Sequence, residues 1–354
     1  FHKVYKDHFQ DRMQRNLSVF DKDVDMPPSV LPFSVIPPTL LAWYKAVFQN
    51  GKRMPPPIDF VGGTITITAD IRRISGTDKF EITLVSSSTS DIVEFLSVGG
   101  VRVTLTEDVT KKLPGAVYIG IGPKLGRKVF AYIDNGLCKL QTDSGETIPV
   151  NIAAEQIMSY EGRLYFKNGP SVYYVDLYET PNQTMAAPKL VANVHEMNAR
   201  LYEGMAVMSL VGNPHLVLFP EPNVSYTVPV KEIKGTIVDA KYDNRIAMVI
   251  FADSKGKYHR IVLRFAKDFK KYEVVQIVDD ITFTGLNFVT LTKGICCNIN
   301  ENNEVELFSN VVGNPNNIIR VIVDPMIKAD MRLSKDGDQV MFTRGKELYS
   351  LKMK

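Results

Sequence analysis

Seven times in this chain a run of β-branched and aromatic residues reaches a short turn rich in Gly or Asn and is followed by another such run. Phe130–Ile133 meets Asn135-Gly136 and then Leu137–Leu140. Arg163–Phe166 meets Asn168-Gly169 and then Val172–Val175. Val207–Leu210 meets Gly212-Asn213 and then Leu216–Phe219; Met248–Phe251 meets Lys255-Gly256 and then Tyr258–Leu263. Ile295–Ile299 meets Asn302-Asn303 and then Val305–Phe308; Val340–Thr343 meets Arg344-Gly345 and then Leu348–Leu351. An earlier member is Ile92–Leu96, Gly99-Gly100 and Val101–Leu105. Tight hairpin turns need positive φ, which Gly and Asn supply at little steric cost, so each unit predicts an antiparallel hairpin.

One turn residue from each unit (100, 136, 169, 213, 256, 303, 345) gives gaps of 36, 33, 44, 43, 47 and 42 residues. Four-stranded blades repeat at roughly 40–45 residues. One such sheet cannot bury both of its faces, whereas sheets stacked about an axis can. The expected fold is therefore all-β, a six- or seven-bladed β-propeller over residues 58–354. A pair of β-sandwiches is the alternative that the same short strands allow. Because the chain ends on a strong hairpin, closing the ring requires an early strand, expected at Thr64–Arg73 with its alternating Thr and Ile. In the last unit, Leu333–Phe342 contains Ser334-Lys335-Asp336-Gly337, which resembles the Ser-x-Asp-Gly signature of WD40-like and TolB-like blades. The chain departs from true WD40 in having no Trp-Asp pair, and Trp43 lies outside the repeats.

Residues 1–57 differ in kind. They hold Pro27, Pro28, Pro32, Pro37, Pro38, Pro55, Pro56 and Pro57 out of 20 prolines in all. Proline fixes φ and removes a donor, so a short Pro-rich α-helical N-terminal segment is expected rather than sheet. A weak helix falls over Val4–Val19. A second begins after Pro37-Pro38, carries Leu40, Leu41, Tyr44, Val47 and Phe48 on one face, and ends at Gly51. The run from Met26 to Phe48, followed by Gly51-Lys52-Arg53-Met54-Pro55-Pro56, resembles the end of bacterial and phage protein-kinase-like domains. The resemblance implies a chain cut from a longer protein, with a kinase-like lobe upstream of Phe1. It brings no catalytic residue, because the His-Arg-Asp, Asp-Phe-Gly and Val-Ala-Ile-Lys patterns are missing.

Lys and Arg total 42 against 39 Asp and Glu, so no broad basic field recommends nucleic acid as a partner. No apolar run reaches the ~18–20 residues of a membrane helix, so no membrane partner is expected. Three cysteines, Cys138, Cys296 and Cys297, do not form a disulfide framework and fit a reducing, cytoplasmic compartment. The adjacent pair points to opposite faces of one strand. The five histidines are not at zinc-ligand spacings, and neither a metal nor another cofactor is expected. Gly120–Lys128 has the look of a phosphate cradle, but a strand follows it instead of a helix, so it reads as a basic surface turn. Asp279-Asp280 reads as a pair of loop charges.

No catalytic constellation emerges. The candidate interaction surface is Tyr173 and Tyr174 with Lys124, Arg127 and Lys128. The leading functional reading is a non-catalytic protein-interaction or sensing module, attached to a kinase-like or pseudokinase domain. The alternatives are a propeller hydrolase or lyase, marked by charged side chains pointing into the channel, and a structural subunit of a virion or large assembly.

Overall fold

The structure, a computed structural model, describes residues 2–5, 8–15, 17–27, 33, 36, 38–53, 65–66, 69–282, 284–314, 317–328 and 330–354. The chain divides into two compact units, Phe1–Gly63 and Thr64–Lys354. The expected boundary at residues 57 and 58 lies outside the described residues.

In the first unit the early helix is shorter than expected, Phe9–Gln14. The second helix runs over Pro38–Tyr44 and widens into a π-turn at Lys45–Gln49. It stops where the sequence places the stop. Gly51 has φ +62°, and the Lys52 N–H closes back on the Ala46 carbonyl at 3.0 Å. Leu40 is buried, and the rings of Trp43, Tyr44 and Phe48 pack on one another.

The second unit is a β-propeller whose described strands form seven sheets. The first sheet has two strands, Ile92–Val98 and Val101–Thr106. The second is Tyr118–Ile121, Lys128–Asp134, Leu137–Thr142 and Thr147–Ala153. The third is Gln156–Tyr160, Arg163–Asn168, Ser171–Glu179 and Thr184–Asn193. The fourth is Arg200–Tyr202, Met205–Leu210, Asn213–Leu218 and Tyr226–Pro229. The fifth is Thr236–Asp243, Ile246–Ala252, Tyr258–Phe265 and Tyr272–Ile281. The sixth is Phe288–Thr290, Ile295–Ile299, Val305–Ser309 and Ile318–Val323. The seventh is Arg332–Asp336, Gln339–Arg344, Glu347–Met353 and Phe80–Ser87.

The cores show why the sheets form a ring. Leu140 and Ile148 meet Leu164 and Phe166 between sheets two and three. Tyr165 and Val172 meet Ala206 and Phe219 between three and four, and Met205 and Leu216 meet Ala247 and Leu263 between four and five. Met248 and Val262 meet Phe288 and Ile319 between five and six; Ile322 and Val305 meet Phe342 and Leu351 between six and seven. Met341 and Leu348 of the seventh sheet then meet Ile92 and Phe95 of the first, and Val103 and Leu105 of the first meet Ile119 of the second. Each sheet thus shields its two faces on its two neighbours, and the circuit closes. Cys296 and Cys297 follow the same logic, lying in the cores on opposite sides of the sixth sheet.

All seven predicted hairpins are present. Asn135 and Gly136 both adopt positive φ in a two-residue turn, as a type I′ hairpin requires. Three turns sit one residue away from their expected place, among them the last, where Arg344 pairs with Glu347 and the loop is Gly345-Lys346. Asn168 pairs with Ser171, so the loop is Gly169-Pro170; Leu210 pairs with Asn213, so the loop is Val211-Gly212. The apolar alternation of the flanking strands fixes register more firmly than the identity of the turn residue.

The closing strand differs from the expectation. Phe80–Ser87, not Thr64–Arg73, pairs with Glu347–Met353 and completes the seventh sheet. The earlier run adds parallel strands to the outer edges of two other sheets. Ile65–Thr66 lies on Tyr272–Ile281 and Asp70–Ser75 on Ile318–Val323. Arg73 grips Glu304 of the sixth sheet with both guanidinium nitrogens, at 2.8 and 2.9 Å.

Candidate functional site

A cavity of about 1650 Å³ draws its lining from six of the seven sheets and, at the fourth, from Glu203 in the turn between its first two strands. The strand Thr236–Asp243 shows how the sequence builds its wall. Ala240 and Tyr242 are buried in the core between sheets four and five. Alternation turns Lys241 and Asp243 to the other side, and both line the cavity. Asp243 is 3 % exposed and accepts the Thr290 N–H at 2.5 Å.

Lys335 of the seventh sheet ties several others together. Its Nζ lies 2.5 Å from Asp243 Oδ1 of the fifth sheet and 3.1 Å from Glu161 Oε1 beside the third. It also donates to the Thr290 carbonyl of the sixth at 3.2 Å. Burial pulls its pKa down, but Asp243 and Glu161 outweigh that and hold it above the ordinary lysine value. Its neighbour Asp336 binds the first sheet, accepting Ser97 Oγ at 2.6 Å and pairing with Arg102 at 2.5 Å. Glu161 also pairs with Arg163 at 2.8 Å, and Glu203 with Lys241 at 3.0 Å.

Glu94 stands apart. It lines the cavity half-buried and has no hydrogen-bond partner among the described residues. Desolvation, then the nearby Glu203 charge, push its carboxyl up to about 7, with Lys241 opposing. Among the described residues no group of three His, Cys, Asp or Glu side chains is placed to hold a metal ion.

The sequence-derived surface is dispersed. Tyr174 is buried between sheets three and four, its ring tilted against that of Tyr165. Tyr173 packs on Phe166 with ring centroids 5.1 Å apart, against the core between sheets two and three. The two rings therefore form no common patch: Tyr174 is interior and Tyr173 half-buried, on opposite faces of a strand that meets a neighbouring sheet on each side. Lys124, Arg127 and Lys128 belong to a loop and the strand after it. That loop does cradle an anion, and the anion is the chain's own. Glu179 accepts backbone N–H bonds from Lys124, Leu125 and Arg127 at 2.8, 2.6 and 2.9 Å. Burial alone would raise this carboxyl; the three donors hold it below the usual range. A Cβ at Gly122 would stand 2.1 Å from the Glu179 carboxyl carbon, so only glycine fits there. Arg127 donates to the Pro181 carbonyl at 2.5 Å. Asp279 and Asp280 are not loop charges as expected: they lie exposed near the end of the strand Tyr272–Ile281 and pair with His259 and Lys257.

The channel residues were missed at the level of sequence. Ser334-Lys335-Asp336-Gly337 was the signal that contained two of them, and it reads only as a blade marker without the ring that surrounds it.

No protein-family model and no curated protein matches the chain. Solved structures do. The chain is similar to Kluyveromyces lactis Hsv2, with a TM-score of 0.39 and 12 % identity over 68 % of this chain and 80 % of that one. It is similar to the N-terminal domain of Nup159, with a TM-score of 0.41 and 7 % identity over 80 % and 100 %. It is also similar to YCF48, solved bound to a D1 peptide, with a TM-score of 0.40 and 11 % identity over 81 % and 99 %. All three are β-propeller proteins. No helix among the described residues is long and apolar enough to cross a membrane.

Proposed function

We propose that the chain is a non-catalytic protein-interaction module whose partner places a cationic side chain in the channel beside Glu94. One observation carries the reading. Four of the cavity's carboxylates, Asp243, Glu161, Glu203 and Asp336, are already paired with Lys335, Arg163, Lys241 and Arg102. Acid–base or nucleophilic chemistry needs at least two groups free to act on one substrate atom. Among the described lining residues Glu94 and the exposed Asp91 are the carboxylates with no ion pair or side-chain hydrogen bond, and Glu94 is the half-buried one, which suits recognition of a positive charge. In the same reading the segment from Met26 to Pro56, with its resemblance to kinase-like domains, makes the ring the docking or sensing part of a longer cytoplasmic protein.

The test uses the chain as bait beside Glu94→Lys. A protein enriched by the wild type and lost from a variant of unchanged melting temperature supports the reading. Bait that enriches the same proteins with either residue, or none, overturns it. One observation favours a hydrolase or lyase instead, because a carboxyl near 7 is poised for proton transfer at neutral pH. In that case Glu94→Gln lowers turnover by roughly 10²–10⁴-fold. A wild-type chain inert toward ester, glycoside and polyuronate substrates removes that alternative.

A further inference from the structure

Six of the seven sheets hold four or five strands, and the first holds two. Its strand Val101–Thr106 pairs with Ile92–Val98 on one side, and no described strand pairs with its other side. The two-residue turn at Gly99-Gly100 makes Val98 and Val101 a hydrogen-bonded pair, so Val101 and Val103 spend their backbone groups inward. The N–H and C=O of Arg102 and Thr104 therefore point outward, where the third strand lies in the other sheets. Both residues are exposed. An unpaired strand edge is a template for another extended chain.

The walls of this gap carry charge. On the second sheet, Phe130 packs toward the first sheet, and Lys128 shares its face. Lys139, cross-strand partner of Tyr132, lies on that same face. On the seventh sheet, Leu348 packs toward the first sheet, and Lys352 shares its face. None of these three lysines is in an ion pair among the described residues, while the acids on those faces are the exposed Glu81 and the half-buried Asp134. The balance is positive in a place where a missing strand would run. Resting on the interaction-module reading, and deepening it, we propose that the edge at Arg102 and Thr104 accepts an extended acidic segment of a protein partner as a third strand. Main-chain hydrogen bonds supply affinity and the lysines supply the preference for acid.

The probe is a labelled ten-residue peptide alternating Glu with Val and Thr, titrated into the full chain by fluorescence anisotropy. Saturable binding is expected. Affinity falls at least tenfold when Lys replaces Glu, when alternate peptide nitrogens are methylated, and in Thr104→Pro. Proline is tolerated on an edge strand whose N–H faces outward. The double variant Lys139→Glu with Lys352→Glu weakens binding and leaves the edge intact, so the test survives a misfolded proline variant. Hydrogen exchange at Arg102 and Thr104 slows with bound peptide. The peptide titration reads the edge alone, whereas the bait experiment with Glu94→Lys reads the channel, which separates failure here from failure of the channel reading. Equal binding of acidic and basic peptides, or none up to about 1 mM, overturns the proposal. So does a dimer, seen by light scattering, that Thr104→Pro dissociates, since a second copy would then hold the edge.

Discussion

Replacing Glu94 by glutamine removes a group that binds its proton more tightly in the folded chain than in the unfolded one. Its pKa rises from 4.5 to about 7 on folding. That rise corresponds to a ceiling of about 3 kcal/mol, which water in the open cavity screens to about 1–2 kcal/mol. The sign follows from linkage: with the folded pKa raised, the favourable contribution is complete below about pH 4.5 and is lost as pH climbs through about 7. Wild type and Glu94→Gln are therefore expected to unfold alike near pH 4, where the carboxyl is largely protonated in both states, and to diverge from there upward. By pH 8 the variant is more stable by about 1–2 kcal/mol. Urea melts at pH 4, 5, 6, 7 and 8 measure this, with the m-value unchanged between the two chains. A difference that stays flat across that range refutes the reasoning. So does a variant less stable at pH 8, which would mean that Lys241 outweighs desolvation and Glu203 at this site.

Three further perturbations test other parts of the structure. Glu306→Ala leaves the buried Arg260, whose guanidinium it holds at 2.9 and 3.0 Å, with only the longer Glu301 pair at 3.7 Å, and costs about 3 kcal/mol by urea melts; Arg260→Met with Glu306→Leu recovers most of that. Val211 is fully exposed yet has φ +50°, a conformation β-branched residues avoid, so Val211→Asn raises stability by about 1 kcal/mol, read as a higher melting temperature. Burial pushes the Cys138 and Cys297 thiols up to about 11 and about 12 and raises Cys296 well above the ordinary thiol value, so none reacts with iodoacetamide at pH 8 until denaturant is added, by mass spectrometry.

Turn chemistry made the ring legible from sequence, because Gly and Asn mark hairpins wherever the chain returns on itself. The short first gap has a structural cause. Gly100 closes the inner pair of a two-stranded sheet, whereas Gly136 joins the second and third strands of a four-stranded one. The closing strand was misplaced for a different reason. The Thr and Ile alternation before residue 75 and the run Phe80–Ser87 both suit strands, and only the register against Glu347–Met353 decides between them. The channel was hardest to see. Lys241, Asp243 and Lys335 are ordinary surface charges along the chain and become a cluster only when distant sheets bring them together. Tyr173 and Tyr174 show the converse: side chains that look exposed in a half-buried strand are half-buried and buried when both faces of the sheet are covered.

The seal between Phe80–Ser87 and Glu347–Met353 also sets a clock for synthesis. Its nearby tie, Lys354 to Asp78, spans 276 residues. At ribosomal rates of about 5–20 residues per second, that separation takes roughly 15–55 s to translate. Until then the earlier strand has no partner, and its exposed backbone is open to pairing with other nascent chains. Early chaperone protection, or slow initiation that keeps neighbouring ribosomes apart, would matter more for this ring than for a domain whose contacts are local.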